Sequence, residues 1–212
     1  MSEVLDAKGD PPPLGPIERA AIALQRGLAV VVPTETVYGV AVDPFAEGAT
    51  DQLFRLKGRP KTVPVAVMVA NARQAEPLVA EIDHEARRLM LHFWPGPLTI
   101  VMARRPGLEI DLGVAADTIG LRCPAHPVPR ALALLVGPLA TTSANRHGEP
   151  TPHEAADVAT EFTEDVPLIL DGGRCDHQPS TVVELDAEGR IEILRPGPIT
   201  VADLRQATRR SW

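Results

Sequence analysis

Aromatic side chains are scarce in this chain of 212 residues: one Tyr, two Trp and four Phe, 3% of the sequence. Val, Leu, Ile and Ala must fill the core, a composition that favours buried strands covered by helices. The same scarcity argues against a groove for single-stranded nucleic acid, which wants stacking rings among its cations. Cysteine is limited to Cys123 and Cys175, too few to staple a chain of this size, so reduced thiols are expected. Cys175-Asp176-His177 lacks a second ligand pair at zinc-like spacing and reads as a loop. Long apolar runs are missing too, since Pro, Arg or His interrupts each before the ~20 residues that would span a bilayer. The N-terminus Met1-Ser2-Glu3-Val4-Leu5-Asp6 has neither the positive charge nor the apolar stretch of a secretory signal, which makes the cytoplasm the expected compartment. A net charge of −7 excludes a surface coated with cations for nucleic acid and leaves room only for a local basic pocket. Lysine is rare: three, against eighteen arginines, and Lys57 and Lys61 fall within one five-residue segment.

What is present reads as one α/β domain. Residues 1–15, with Asp10-Pro11-Pro12-Pro13, have too little apolar content to fold alone and read as a flexible arm; residues 16–212 form the folded unit. Ile17, Ala20, Ala21 and Leu24 fall at i, i+3, i+4 and i+7 between Pro16 and Gly27, an amphipathic helix. It feeds a buried strand over 28–32. Short strands are expected at 40–42, 64–69, 98–102, 118–122, 138–143 and 168–170, and helices at 49–57, 74–80, 84–93, 127–136 and 152–162. Pro95-Gly96-Pro97 is a rigid turn. Residues 181–185 and 191–194 flank Asp186-Ala187-Glu188-Gly189-Arg190 as a β-hairpin. There is no internal repeat, and the pattern predicts a twisted, open, mixed sheet with flanking helices.

Four segments are not explained by packing. Pro33-Thr34-Glu35-Thr36-Val37-Tyr38-Gly39 follows the strand at 28–32, where an α/β fold holds ligands; its plainer reading is a turn whose Thr and Glu bond their own backbone. Lys57-Gly58-Arg59-Pro60 concentrates charge suited to a triphosphate, Lys as a point charge and Arg as a planar fork. Those cations also suit a helix C-terminus, which accounts for Lys57 alone better than for the whole segment. Thr141-Thr142-Ser143-Ala144-Asn145 would place Thr141, Ser143 and Asn145 on one side of a continuing strand, or cap the next helix. Ser180-Thr181-Val182-Val183 opens the hairpin and Leu194-Arg195-Pro196-Gly197 closes it, so Ser180 and Arg195 share an open end. Glu35 and Asp43 are carboxylates with no spacing that fixes their separation.

In this order the segments resemble the YrdC-type family of threonylcarbamoyl-AMP synthases, over roughly residues 16 to 200, in its short, single-domain form. Four ordered motifs are a far stronger signal than any one. The resemblance implies that L-threonine, bicarbonate and ATP with Mg²⁺ are joined into threonylcarbamoyl-AMP with loss of pyrophosphate. It implies catalytic roles for Lys57 and Arg59. It implies ATP contacts from those two and from Lys61, Thr118, Ser143, Asn145, Thr151 and Arg195. Threonine contacts fall on Thr34, Tyr38, Arg122, Thr141 and Ser180, with Arg122 gripping the carboxylate bidentately. Mg²⁺ would be held mainly by the ATP phosphates and water rather than by a protein cage. The implied partner is a downstream threonylcarbamoyl transferase complex acting on tRNA. The chain departs from the family at Val63, where a basic residue is common, and at His147, where Ser is common. The rival readings are a non-catalytic RNA-binding module of the same fold and a carbamoyl-adenylate transferase with another acceptor.

Overall fold

The computed structural model describes residues 2–58, 60–113, 117–162, 166–175, 178–186 and 189–208. Ile17, Ala20, Ala21 and Leu24 are buried on α1 (Leu14–Gln25), which starts two residues before Pro16; Pro is tolerated there because first-turn N–H groups have no intrahelical acceptor. The chain then alternates: β2 (Val30–Val32), β3 (Gly39–Val42), α2 (Ala49–Lys57), β4 (Ala66–Met68) and α3 (Ala72–Ala75), which continues as a 3₁₀ turn at Glu76–Leu78. Next come α4 (His84–Phe93), β5 (Leu98–Ala103), β6 (Thr118–Arg122), α5 (Pro127–Val136), β7 (Leu139–Ser143), α6 (Ala155–Glu161) and β8 (Leu168–Asp171). The hairpin β9 (Thr181–Leu185) and β10 (Ile191–Arg195) leads into α7 (Val201–Thr208). Side chains cap several helix starts: Asp83 accepts from Ala86 N at 2.7 Å before α4, and Asn71 accepts from Gln74 N before α3.

The expected flexible arm is corrected in part. Glu3–Asp6 form β1, which pairs in parallel with β8 from Glu3↔Leu168 to Asp6↔Asp171. Ala7 is buried, its N–H bonds Asp171 O at 2.8 Å, and Lys8 Nζ lies 2.6 Å from Asp171 Oδ2. Four residues cannot show this from their own composition, because an edge strand is stabilised by its long-range partner.

The ten strands form one mixed sheet, ordered β1-β8-β2-β3-β7-β4-β6-β5-β9-β10. Its two faces are covered unequally. One face, with Val31, Val40, Val67, Ile100, Leu121 and Val183 pointing to it, packs against buried residues of α2, α4, α6 and α7. On the other face, Val30, Val32, Ala41, Leu139 and Leu168 pack beneath α1 and α5. Those two helices cover only part of it. The remaining strands present Ala66, Thr99, Val101, Thr118, Gly120, Thr141, Ser143, Val182 and Glu184 to a cavity, following the period-two alternation of a pleated sheet.

Candidate functional site

The cavity measures about 470 Å³ and is lined from β3 through β10. Its charged lining residues are Arg122, Arg195 and Glu184; hydroxyls from Thr34, Thr99, Thr118, Thr141, Thr142, Ser143 and Ser180 make up most of its polar wall. Gly39 permits the tight packing beneath it, since a Cβ there would sit 2.8 Å from Thr141 Cγ2 and 3.3 Å from Thr142 O.

The 33–38 loop joins β2 to β3, which pair antiparallel. Thr34 Oγ1 accepts from Thr36 N at 3.1 Å and Val37 N at 3.0 Å, and donates to Val37 O at 2.6 Å. The self-bonded turn is therefore what the loop's first hydroxyl builds. With that proton committed, Thr36 Oγ1 donates to Thr34 Oγ1 at 2.9 Å and accepts from Arg122 Nη2, also at 2.9 Å. Tyr38 lines the cavity, but its hydroxyl donates to Gly173 O at 2.6 Å. Burial, with Cys175 and Asp171 close by, holds its pKa well above the ordinary tyrosine value, so it stays a donor. Asp171 in turn lies below its usual range: burial pushes it up, and Lys8 and the Gly173 N–H outweigh that.

Arg122 ends β6 almost fully buried. Nε donates to Gly96 O at 3.3 Å, and Nη2 stands 2.8 Å from Glu35 Oε1. Asp43, the other carboxylate weighed with Glu35, instead accepts from Phe45 N at 2.9 Å. Beside Arg122, burial pushes the Cys123 thiol up to about 11, an unreactive thiol rather than a nucleophile; Cys123 and Cys175 are both buried thiols that are not joined in a disulfide.

Lys57 is the last residue of α2, and Gly58 follows at φ 60° as its left-handed cap. The lysine is buried, and Nζ donates to Ser143 O at 2.6 Å, to Ser143 Oγ at 3.0 Å and to Asn145 Oδ1. Asn145 also bonds the carbonyls of Arg146 and Glu149. Lys57 and Asn145 thus stand behind Ser143 rather than in the cavity lining. At the opposite wall Arg195 donates to Ser180 O from Nε at 3.1 Å and from Nη2 at 2.7 Å, and Nη2 reaches Ser180 Oγ at 3.0 Å. Ser180 Oγ also lies 2.8 Å from Thr99 Oγ1.

The cavity therefore brings together Thr34, Tyr38, Thr118, Arg122, Thr141, Ser143, Ser180 and Arg195 of the expected residues. It does not bring in Lys61, whose Nζ is held at the surface by Asp51 at 2.5 Å and Asp111 at 2.6 Å, nor Thr151, which lies outside the lining. Arg59 lies outside the described residues. Sequence reasoning missed Thr99, Thr142 and Glu184. Thr99 is the one polar residue of β5 and Glu184 the one charged residue of β9, isolated polar positions in buried strands that make no alternating pattern. Val63, the departure from the expected basic residue, does line the cavity.

The family model for Sua5, YciO and YrdC proteins, described as telomere recombination, matches residues 22–197. A Mycobacterium leprae protein provisionally named threonylcarbamoyl-AMP synthase is 39% identical over 207 residues, 97% of this chain and 94% of its own. The threonylcarbamoyl-AMP synthase of Pseudomonas putida is 33% identical over 181 residues, 85% of this chain and 97% of its own. The crystal structure of Pyrococcus abyssi Sua5 complexed with L-threonine superposes with a TM-score of 0.90 at 33% identity, covering 97% of this chain and 61% of that one. With this match over most of its length, the chain belongs to the Sua5/YciO/YrdC family.

Proposed function

We propose that this protein is an L-threonylcarbamoyladenylate synthase, a nucleotidyltransferase that joins L-threonine, bicarbonate and MgATP. The observation that carries the reading is one cavity holding a buried, oriented guanidinium at Arg122 and a second cationic wall at Arg195, with hydroxyls between them. In the first step the threonine amine attacks bicarbonate carbon, and a proton and hydroxide leave as water to give the carbamate. A carbamate oxygen then attacks the α-phosphorus, the bond to the bridging oxygen breaks, and pyrophosphate departs. Such chemistry asks a protein mainly for positioning and charge compensation.

Arg122 would hold the α-carboxylate through Nη1, the guanidinium nitrogen that the loop and Gly96 leave unused. Ser180 and Thr141 suit the substrate hydroxyl. Thr118, Ser143 and Arg195 suit nucleotide and phosphate oxygens, with Lys57 and Asn145 fixing Ser143. Mg²⁺ would enter on the ATP phosphates as part of that substrate; among the described residues Glu184 is the carboxylate of the lining. The adenylate would be passed to a transferase complex acting on tRNA.

The test is to incubate pure protein with ATP, Mg²⁺, bicarbonate and labelled L-threonine and to follow adenylate and pyrophosphate. Both should require threonine, and leucine or glutamate should not replace it, since a hydroxyl-lined pocket penalises a side chain that leaves its polar groups unpaired. Equal ATP turnover without threonine would sink the reading.

A further inference from the structure

Glu35 has no place in the mechanism above, yet it is unusual among the described residues. Both its carboxylate oxygens are shut off from solvent and neither accepts a hydrogen bond, although Oε1 stands 2.8 Å from Arg122 Nη2. The contact is therefore ionic, without the alignment of a formed hydrogen bond. Nη2 spends its directed bond on Thr36 instead. Glu35 does not line the large cavity; with Thr36, Pro97, Gln178 and Pro198 it borders a smaller one of about 350 Å³. What it offers the substrate is charge, delivered through Arg122.

We propose that Glu35 sets the charge specificity of the amino-acid subsite, balancing Arg122 so that the site accepts a zwitterion and rejects a plain carboxylate. This rests on Arg122 being the carboxylate grip. A buried guanidinium without a counter-charge draws any small anion: a hydroxy acid, phosphate or bicarbonate itself. Paired with Glu35 it contributes no net charge. An arriving carboxylate alone then leaves a buried site with an uncompensated negative charge, which is costly. An amino acid brings its own ammonium, bonded one carbon away from the carboxylate, and keeps the balance. The field of Glu35 also favours that ammonium at binding; it sheds its proton before the free amine attacks bicarbonate. The subsite is thereby kept clear of the reaction's small anionic substrate, bicarbonate.

The probe is 3-hydroxybutyrate, which keeps the carboxylate and the hydroxyl of threonine and lacks the amine. Calorimetric titration of the full chain should show L-threonine preferred by about tenfold or more. In Glu35→Gln the preference should fall to about threefold or less, chiefly because 3-hydroxybutyrate binds tighter. Glu35→Asp, which retains the charge, should keep the wild-type order. A merely structural Glu35 would lower the thermal midpoint of Glu35→Gln and leave the preference unchanged, and that result overturns the proposal. The wild-type comparison needs no variant: equal binding of the two ligands overturns it as well. Failure of the wild type to bind threonine at all, with or without ATP, would overturn the reading of Arg122 too, whereas the other two outcomes leave that reading standing.

Discussion

At the scale of single residues, Lys57 shows how a sequence motif and a structure divide the explanation. An ammonium has three donors, and among the described residues Ser143 O, Ser143 Oγ and Asn145 Oδ1 accept from it. On the proposed reading Lys57 would bear on phosphate through its charge and through Ser143, and a direct contact would exchange one of these bonds. Lys57→Ala should slow adenylate formation by roughly one and a half to three decades, the ~2–4 kcal/mol lost with one preorganised electrostatic group. It should also lower the thermal midpoint, because buried acceptors lose their donor. Rates are thus to be measured well below that midpoint, and a folded Lys57→Ala with near-normal activity would remove Lys57 from the chemistry. Arg122→Ala should raise the threonine requirement more than the ATP requirement. Arg195→Ala should affect both, because Arg195 fixes the Ser180 hydroxyl; an effect on ATP alone would separate the two. The residue types of this site were legible in the sequence. Their orientations were not: Thr34 and Tyr38 spend their hydroxyls on their own loop and on Gly173, which only the fold reveals.

Elements re-aim these residues. Arg195 follows Ile193 by two positions, and strict alternation would put both on one face. A bulge between them shifts the register, so that Ile193 pairs with Val183 while Arg195 comes opposite Val182. Ile193 thus packs on the core and Arg195 reaches the cavity, a local redirection typical of bulges. Gly197 secures the approach, since a Cβ there would lie 2.5 Å from Thr181 N and 2.6 Å from Pro179 O. Gly197→Ala should push the 196–198 segment off Ser180 and lose nucleotide affinity with little change in overall helix content; unchanged affinity would show the segment to be pliable. Helix α5 carries a pH dependence. His126 Nδ1 accepts the Val128 N–H at 3.2 Å, and burial holds its pKa below 6.5 against the Gly172 carbonyl and the charges of Glu35 and Asp10, which pull it up. The folded protein then binds that proton less readily than the unfolded chain. Stability is complete above the unfolded value and is lost as pH falls below about 6.5 through the folded one. His126→Asn, which keeps a capping oxygen, should flatten the fall in thermal midpoint across that window; an identical slope in the variant would assign it to other groups. The helix itself, with Pro127 at its first position, was readable from the sequence. β1 was not, because it is held by its distant partner β8 rather than by its own pattern; α7 was missed although Thr200 and Asp203 cap its start reciprocally and Leu204 and Ala207 pack on the core.

For the whole molecule, the alternation of apolar strands and amphipathic helices was enough to read a mixed α/β sheet. The order β1-β8-β2-β3-β7-β4-β6-β5-β9-β10 was out of reach, since period-two patterning shows which residues share a face but not which strands are neighbours. The cavity was equally hidden. It exists because α1 and α5 cover one part of a face whose remainder stays open, a consequence of how helices are shared between faces and not of any local motif. That origin has a thermodynamic consequence. On the proposed reading the threonine and nucleotide subsites would share one uncovered sheet face, joined by the Thr99–Ser180–Arg195 contacts, so a ligand that orders Arg195 should also order Ser180 for its neighbour. Binding of a non-hydrolysable ATP analogue should therefore tighten threonine binding by about fivefold or more, and threonine must tighten the analogue by the same factor, because coupling free energies are reciprocal. Titrating each ligand with the other present and absent closes this cycle. In Thr99→Val, which removes one hydroxyl link at nearly constant volume, the factor should shrink while each ligand alone still binds; independent affinities in the wild type would mean that the shared wall carries no coupling.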